Sequence, residues 1–162
     1  MGVEKSDMAS CRKNKIIFGI CTAAIILLDR FSKILVDAYM NLGDSYGVID
    51  NFFSIHYVAN TGVAFSNFQG SRIVTILMPV FIAVLITGFV FLRASGISIA
   101  SAATLGMIVG GGIANLADRF IYGYVIDFFS FGSFAIFNIA DVGITLGCVF
   151  LMLIVIFEKE RK

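Results

Sequence analysis

The sequence predicts an α-helical integral membrane protein with four transmembrane helices, a small extracytoplasmic β-cradle or hairpin, and a short interfacial helix. Hydrophobic residues make up 59% of the 162 residues, and charged residues only 14%. A soluble domain carries about 25% charged residues, so this surface is expected to face lipid. The net charge of +1 provides no basic surface for nucleic acid, and no nucleic-acid partner is expected.

Four segments have the length and composition of membrane spans. About 20 apolar residues are needed to cross a bilayer, and the four segments cover about residues 15–38, 73–93, 97–117 and 136–157. The second span has no charged residue between Ile73 and Leu92. The first is interrupted towards its far end by Asp29, Arg30 and Lys33.

The positions of Lys and Arg predict the orientation, because these residues collect in cytoplasmic flanks. They precede the first span, follow the fourth and occur between the second and third: Lys5, Arg12, Lys13, Lys15, Arg93, Lys159, Arg161 and Lys162. With four spans these places share one side, so both termini are predicted to be cytoplasmic. Residues 1–14 are predicted to be a disordered cytoplasmic extension, 15–158 a single membrane domain, and 159–162 a cytoplasmic tail.

The long outer connection is predicted to contain a β element at about residues 44–66. The stretch from Phe52 to Phe65 is rich in β-branched and aromatic residues, with Asn60-Thr61-Gly62 as a turn. The next segment, SNFQGS (66–71), is interpreted as the short interfacial helix. His56 is the one histidine, and the three cysteines form no C-x-x-C motif, so neither a metal site nor a cofactor is predicted.

Polar residues within or beside the spans are predicted to gather near the outer face. Buried ionisable residues are costly in a bilayer and usually functional. The polar residues predicted to gather there are Asp29, Asn115, Asp118, Arg119, Asp127, Asn138 and Asp141. Helical spacing places Asn115 and Asp118 on one face of the third span, and Asn138 and Asp141 on one side of the fourth. Small residues at Gly106, Gly110 and Ala114 predict close helix packing.

Two carboxylates that face one site share a proton and can hydrolyse a peptide bond with one water. The residues alone leave four candidates, Asp29, Asp118, Asp127 and Asp141. Asp29 has Lys33 one turn later and Asp118 has Arg119 beside it, which favours structural ion pairs for these two.

Other interpretations of the polar cluster remain open at this point. Asp141 could simply cap its helix. The same residues could serve a small proton- or ion-coupled membrane transporter, or a non-catalytic assembly factor.

Five blocks of the sequence carry a resemblance to a known family. They are LDRFSK (28–33), NTGVAF (60–65), GGGIANLADR (110–119), VIDF (125–128) and FNIAD (137–141). Together, and in this order, they resemble lipoprotein signal peptidase, the bacterial signal peptidase II. The sequence departs from the family's common residues at Arg30, Val63 and Ala114, and none of these departures removes a carboxylate.

The resemblance implies an aspartic endopeptidase of the bacterial inner membrane, with its active site towards the outer face. It implies cleavage of prolipoproteins just before the diacylglyceryl-modified cysteine of the lipobox, contact with membrane lipid, and inhibition by globomycin-type cyclic peptides. The implied catalytic pair is Asp127 and Asp141. The residues implied to bind substrate or shape the site are Asp29, Lys33, Asn60, Gly62, Asn115, Asp118, Arg119 and Asn138.

Overall fold

The computed structural model describes residues 2–62, 73–132 and 135–159. Within these ranges the chain forms helices and a small sheet. In chain order they are α1 (Gly2–Tyr39), β1 (Ser45–Ile49), β2 (Phe53–Asn60), a π-helical turn (Ile73–Leu77) that continues into α2 (Met78–Arg93), α3 (Ile99–Tyr122), β3 (Val125–Phe131), β4 (Ala135–Phe137) and α4 (Ile139–Lys159). The protein is therefore mostly helical, as the sequence predicts.

Among the described residues, three helical segments are long and apolar enough to cross a membrane. They are Ile73–Arg93, Ile99–Tyr122 and Ile139–Phe157, and they match the predicted second, third and fourth spans. The remaining helix, α1, has an uncharged stretch only from Ile16 to Leu28, which is shorter than the usual span of about 20 residues. The count of four spans therefore stays a prediction.

The helix α3 lies at the centre of the helical part, and glycines allow its neighbours to approach closely. Gly106 and Gly110 lie against main-chain carbonyl groups of α1, and Gly111 lies against the carbonyl of Ala140 in α4. A side-chain carbon added at any of the three would come under 3.0 Å from one of these oxygens. Ala114 is buried on the same helix. The predicted role of small residues in helix packing is confirmed for Gly106 and Gly110, and Gly111 adds a third close contact.

The strands of the described part form one antiparallel sheet in the order β1-β2-β3-β4. The strands β1 and β2 confirm a hairpin within the predicted β element at 44–66. Its turn, however, lies around Asn51, which adopts a positive φ of 56°, a conformation that asparagine tolerates. The segment Asn60–Gly62 instead ends β2, so the predicted position of the hairpin turn was wrong.

The strands β3 and β4 were not predicted, because no strand was expected between the third and fourth predicted spans. The pairing of β3 with β2 places Val58 opposite Asp127, and so the sheet brings a candidate catalytic residue to the end of the helices. The predicted interfacial helix at 66–71 lies outside the described residues.

A buried cluster joins the sheet to the end of α1. Val36 of α1 packs with Tyr57 of β2 and with Ile126 and Phe128 of β3. The hydroxyl of Tyr57 donates a hydrogen bond of 2.8 Å to Asp37. Burial of large apolar side chains contributes roughly 1.5–3 kcal/mol each, so this cluster fixes the position of β3, and of Asp127 within it, relative to α1.

The amino-terminal segment is not a disordered extension in the described part of the chain. Residues 2–14 continue α1 without a break, since no proline interrupts them. Asn14 is 1% exposed, and its amide donates hydrogen bonds of 2.8 Å to the carbonyl oxygens of Ala94 and Ile97. The prediction of disorder was wrong because polar composition alone says little about a helix that extends a longer one.

Candidate active site

The two carboxylates Asp127 and Asp141 line one cavity of about 610 Å³. Asp127 lies on β3 and is 2% exposed. Asp141 lies in the first turn of α4. The other elements that line the cavity are β2, the π-helical turn, α2, α3 and β4. The pairing of β3 with β2 and the start of α4 therefore place the two implied catalytic residues on the same cavity, although they belong to different elements.

Asp141 also caps its helix. Its main-chain N–H donates to the Asn138 side-chain oxygen at 3.0 Å, and its carboxylate accepts the main-chain N–H of Asn138 at 3.3 Å. This reciprocal arrangement is a capping box. The other oxygen of Asp141 accepts a hydrogen bond of 2.8 Å from the amide of Asn115. Capping, which the sequence left open, and membership of the polar site are therefore compatible in this residue.

Three asparagine amides surround the carboxylates, and a donor fixes the orientation of each. The side-chain oxygen of Asn60 accepts the main-chain N–H of Gly62 at 2.9 Å. That of Asn138 accepts the N–H of Asp141, and that of Asn115 accepts the Lys33 ammonium at 3.2 Å. A main-chain N–H and an ammonium can only donate. Each amide must therefore point its NH₂ group away from that donor.

The NH₂ groups of all three amides face a carboxylate. Asn60 and Asn138 donate to the two oxygens of Asp127 at 2.8 and 2.7 Å, and Asn115 donates to Asp141. Asn138 also donates to the side-chain oxygen of Asn115 at 3.0 Å. The amides thus connect Asp127 and Asp141 in one hydrogen-bonded network, with both oxygens of each carboxylate acting as acceptors.

A buried ion cluster lies behind this network. Lys33 is 0% exposed, and its Nζ is 2.6 Å from Asp29 and 2.8 Å from Asp118. The second oxygen of Asp29 accepts the main-chain N–H of Ala140 at 2.8 Å. The oxygen of Asp118 that meets Lys33 also accepts the N–H of Ile126 at 3.2 Å. Ala140 and Ile126 directly precede Asp141 and Asp127, so each ion-paired carboxylate binds the main chain beside one member of the pair.

The prediction that Asp118 forms its ion pair with Arg119 was wrong. Adjacent residues on a helix point about 100° apart, and Arg119 turns away from Asp118. Its guanidinium donates to the carbonyl oxygens of Gly62 at 2.9 Å and of Asn115 at 3.4 Å. Among the described residues, its buried Nε has no hydrogen-bond partner. Arg119 lines the same cavity as the carboxylates.

The environment of Asp127 favours its protonated form. The pKa of Asp127 is raised from 3.8 to about 7. Burial is the largest cause, and the negative charge of Asp141 acts in the same direction. The hydrogen bonds from Asn60 and Asn138 and the positive charge of Lys33 act in the opposite direction. Near neutral pH this carboxyl group can therefore carry a proton, which a carboxylate pair needs for general acid and base catalysis.

This pKa predicts how stability depends on pH. Between the unfolded value of 3.8 and the folded value of about 7, the folded state binds more protons than the unfolded state, so stability falls as pH rises through that interval. Asp127→Asn should lose this dependence. As pH rises from about 5 to about 8, the unfolding free energy of the variant minus that of wild type should increase. The increase should be on the order of one to a few kcal/mol, since one pKa unit corresponds to about 1.4 kcal/mol.

The measurement is thermal unfolding in detergent across this pH range. Asp50→Asn, at an exposed residue beside the hairpin turn, is the control and should follow wild type. A constant difference between Asp127→Asn and wild type at all pH values would contradict the raised pKa of Asp127.

Sequence reasoning identified the polar residues of the site but missed two features. The first is the contact of Asp29 and Asp118 with the main chain beside Asp141 and Asp127, for which the sequence has no signal. The second is the apolar part of the cavity lining, which comes from the π-helical turn, α2, β3, β4 and α4: Val74, Pro79, Val125, Ile136, Phe137, Val142, Ile144 and Leu146. Within the described ranges, no three His, Cys, Asp or Glu side chains are grouped to hold a metal ion, and a metal-free site remains a prediction.

Two solved structures have the same fold. Both are described as bacterial membrane enzymes. The first, at 2.3 Å resolution, matches with a TM-score of 0.78 and 24% sequence identity over 88% of this chain and 89% of its own. The second, at 1.9 Å resolution, matches with a TM-score of 0.73 and 24% identity over 84% and 90% of the two chains. At this level of identity the likeness concerns the fold.

Curated relatives are similar over most of the sequence. The chain is 38% identical over 141 residues to a lipoprotein signal peptidase of Caldanaerobacter subterraneus subsp. tengcongensis, covering 86% of this chain and 95% of that protein. It is 35% identical over 140 residues to a lipoprotein signal peptidase of Fusobacterium nucleatum, covering 85% of each. Residues 21–157 match the family model described as signal peptidase (SPase) II. The chain therefore belongs to the signal peptidase II family of lipoprotein-processing proteases.

Proposed function

We propose that this protein is a membrane-embedded aspartic endopeptidase that cleaves prolipoproteins before the diacylglyceryl-modified lipobox cysteine, with Asp127 and Asp141 as the catalytic pair. The observation that carries the proposal is the placement of these two carboxylates on one cavity, connected by Asn115 and Asn138. Both oxygens of each carboxylate are oriented by donors, so the pair is arranged before a substrate arrives.

The proposed reaction needs only the two carboxyl groups and one water. The ionised carboxylate takes a proton from water while the water oxygen bonds to the scissile carbonyl carbon. The protonated carboxyl group donates its proton to the carbonyl oxygen. When the tetrahedral gem-diol intermediate collapses, the C–N bond breaks and the leaving amine receives a proton from the carboxyl group formed in the first step. One hydroxyl of the intermediate gives its proton to the other carboxylate, which restores the starting pair. Because the two groups titrate together, the steps belong to the pair.

The apolar wall of the cavity supports a lipidated substrate. The lining combines polar groups, among them Asp127, Asp141 and Arg119, with aliphatic and aromatic residues of α2, β4 and α4. An acylated cysteine would place its acyl chains against these apolar residues and its peptide bond at the carboxylates. By the same reasoning we propose that globomycin-type cyclic peptides bind this cavity and inhibit the enzyme.

We further propose that α1 is the fourth membrane span. Its two fully buried charged residues, Asp29 and Lys33, point into the protein. Large apolar side chains on its other side are exposed, among them Leu27 at 68% and Phe31 at 61%. A helix that pairs its charges internally and exposes apolar residues is suited to lipid in spite of its charge content.

With four spans, both termini are cytoplasmic and the active site faces the outer side of the bacterial inner membrane. Residues 1–14 and 159–162 then belong to the cytoplasmic side. A reporter fused after Lys162 is expected to behave as a cytoplasmic protein, because Lys and Arg flank the chain on that side. The same reporter placed after Asp50 should behave as extracytoplasmic. A reporter after Lys162 that is active only outside the cytoplasm would contradict this topology.

The test of function is cleavage of a lipidated lipobox peptide by the purified protein in detergent. We expect cleavage on the amino side of the modified cysteine, and little or none when the peptide carries an unmodified cysteine. Equal cleavage of both peptides would contradict the proposed specificity. Membership of a peptidase family argues against the alternative that the protein is a transporter. Ion flux in sealed vesicles, together with no cleavage of the peptide, would support that alternative.

A further inference from the structure

One buried ammonium group contacts three residues of α1 and α3 that bind the catalytic pair or the main chain beside it. Lys33 Nζ lies 2.6 Å from Asp29, 2.8 Å from Asp118 and 3.2 Å from the side-chain oxygen of Asn115. Lys33 is 0% exposed, and so it cannot exchange these three acceptors for water. An ammonium group has three donors, and here each has one acceptor.

Each of the three acceptors then contacts the pair or the main chain beside it. Asp29 accepts the N–H of the residue before Asp141, and Asp118 accepts the N–H of the residue before Asp127. Asn115 donates its NH₂ to Asp141 directly, an orientation that the Lys33 ammonium imposes because it can only donate. Three short chains of contacts therefore start at one nitrogen atom. One ends at the carboxylate of Asp141, and the other two end at the main chain directly before Asp141 and Asp127.

We propose that Lys33 is a positioning residue for the catalytic pair, which it orients through Asp29, Asp118 and Asn115. This inference rests on the proposed catalytic roles of Asp127 and Asp141. Lys33 is not among the described residues that line the cavity. It acts on the pair through other side chains. Its role differs from that of a plain structural ion pair, because its loss should change the chemistry of the pair as well as the stability of the fold.

The charge of Lys33 also acts on the pair. The other charged groups around the site are Arg119 of α3, which lines the cavity, the carboxylates Asp29 and Asp118, which both contact Lys33, and Arg30, which contacts Asp118. The positive charge of Lys33 lowers the pKa of Asp127. Removal of the ammonium should therefore raise the pKa of Asp127 and move the pH profile of cleavage to higher pH.

The chain offers a matched control in Arg30. This neighbouring cation of α1 lies 3.7 Å from Asp118 on its exposed side, with 40% of its side chain exposed. It also contacts Tyr122, and its described contacts do not include the pair, Asn115 or the main chain beside the pair. Arg30→Gln therefore removes one positive charge from the same cluster without breaking any of the three chains of contacts.

The experiment compares wild type, Lys33→Met and Arg30→Gln. For Lys33→Met we expect kcat to fall on the order of 10²-fold, KM for the lipidated peptide to stay within a few-fold, and the pH profile of kcat/KM to move to higher pH. Arg30→Gln should keep the wild-type kcat and profile. A Lys33→Met protein with a lower melting temperature but the wild-type kcat and pH profile would reduce Lys33 to a structural role and overturn the proposal.

Two additions keep the result decisive. Lys33→Met leaves two buried carboxylates without an ammonium, so Lys33→Met/Asp29→Asn, which removes one of them, is measured in parallel. Failure of both variants to fold while Arg30→Gln folds normally would mark the cluster as a folding element and overturn the positioning role. Infrared titration of isotope-labelled Asp carboxyl groups needs no substrate. It can show the expected rise in the pKa of Asp127 even if wild type does not cleave the peptide, which would count against the proposed function alone.

Discussion

Asp127→Asn and Asp141→Asn are each expected to lose nearly all turnover, on the order of 10⁴–10⁶-fold. An amide can neither take a proton from water nor return one to the leaving amine. The double variant should be scarcely slower than either single variant, because the second change removes a partner that is already idle. Binding of the lipidated peptide should survive in all three, since apolar residues form much of the cavity wall.

The hydrogen bonds of the pair show that the stability of these variants must be measured together with their activity. Both oxygens of Asp127 accept an amide N–H, and both oxygens of Asp141 accept a donor. An asparagine at either position must therefore turn its own NH₂ towards another donor, and local rearrangement is expected. Cleavage rates should be compared with melting temperatures and peptide affinity in the same detergent. Substantial activity in either folded single variant would contradict the shared-proton mechanism and direct attention to Asp29 and Asp118.

The sequence predicted the helices of this fold better than the sheet. Continuous apolar segments identify spans without knowledge of any partner, and three of the four predicted segments coincide with candidate spans. A strand instead depends on its neighbour. The segment 125–131 becomes a strand because it pairs with β2, more than 60 residues earlier in the chain. Local composition could not indicate such a long-range pairing, and no strand was therefore predicted between the third and fourth spans.

The candidate site shows the same division between local and long-range information. The pair Asp29–Lys33 was visible in the sequence because residues four apart meet on one helix face. The contact of Lys33 with Asp118 joins α1 to α3 and has no local signal. The sequence therefore assigned Asp118 to its nearest cation in the chain, Arg119, which instead binds carbonyl groups beside the cavity.

This corrected partner changes the expected consequence of Asp118→Asn. The variant leaves the fully buried Lys33 with Asp29 as its one remaining carboxylate, whereas the sequence-based interpretation would leave Arg119 unpaired. Removal of one partner from a buried ion pair costs about 3–5 kcal/mol. Because Asp29 still neutralises Lys33, we expect a loss of unfolding free energy at or somewhat below the lower end of that range.

Arg30→Gln is the matched comparison, because it removes the other cation that contacts Asp118. This pair is 3.7 Å apart and its arginine is 40% exposed, and exposed ion pairs contribute about 0–1 kcal/mol. The melting temperature should therefore fall clearly in Asp118→Asn and hardly at all in Arg30→Gln. Equal losses in the two variants would show that burial of Lys33 does not determine the cost.

Activity per folded molecule separates stability from chemistry in the same variant. An asparagine at position 118 keeps an oxygen that can accept the N–H of Ile126, as Asp118 does at 3.2 Å, so the main chain beside Asp127 can stay in place. We therefore expect Asp118→Asn to lose yield and thermal stability at least as much as turnover, measured as cleavage rate per folded protein. A variant that melts like wild type but does not cleave the lipidated peptide would instead show that the chemistry, and not the fold, requires the Asp118 carboxyl group.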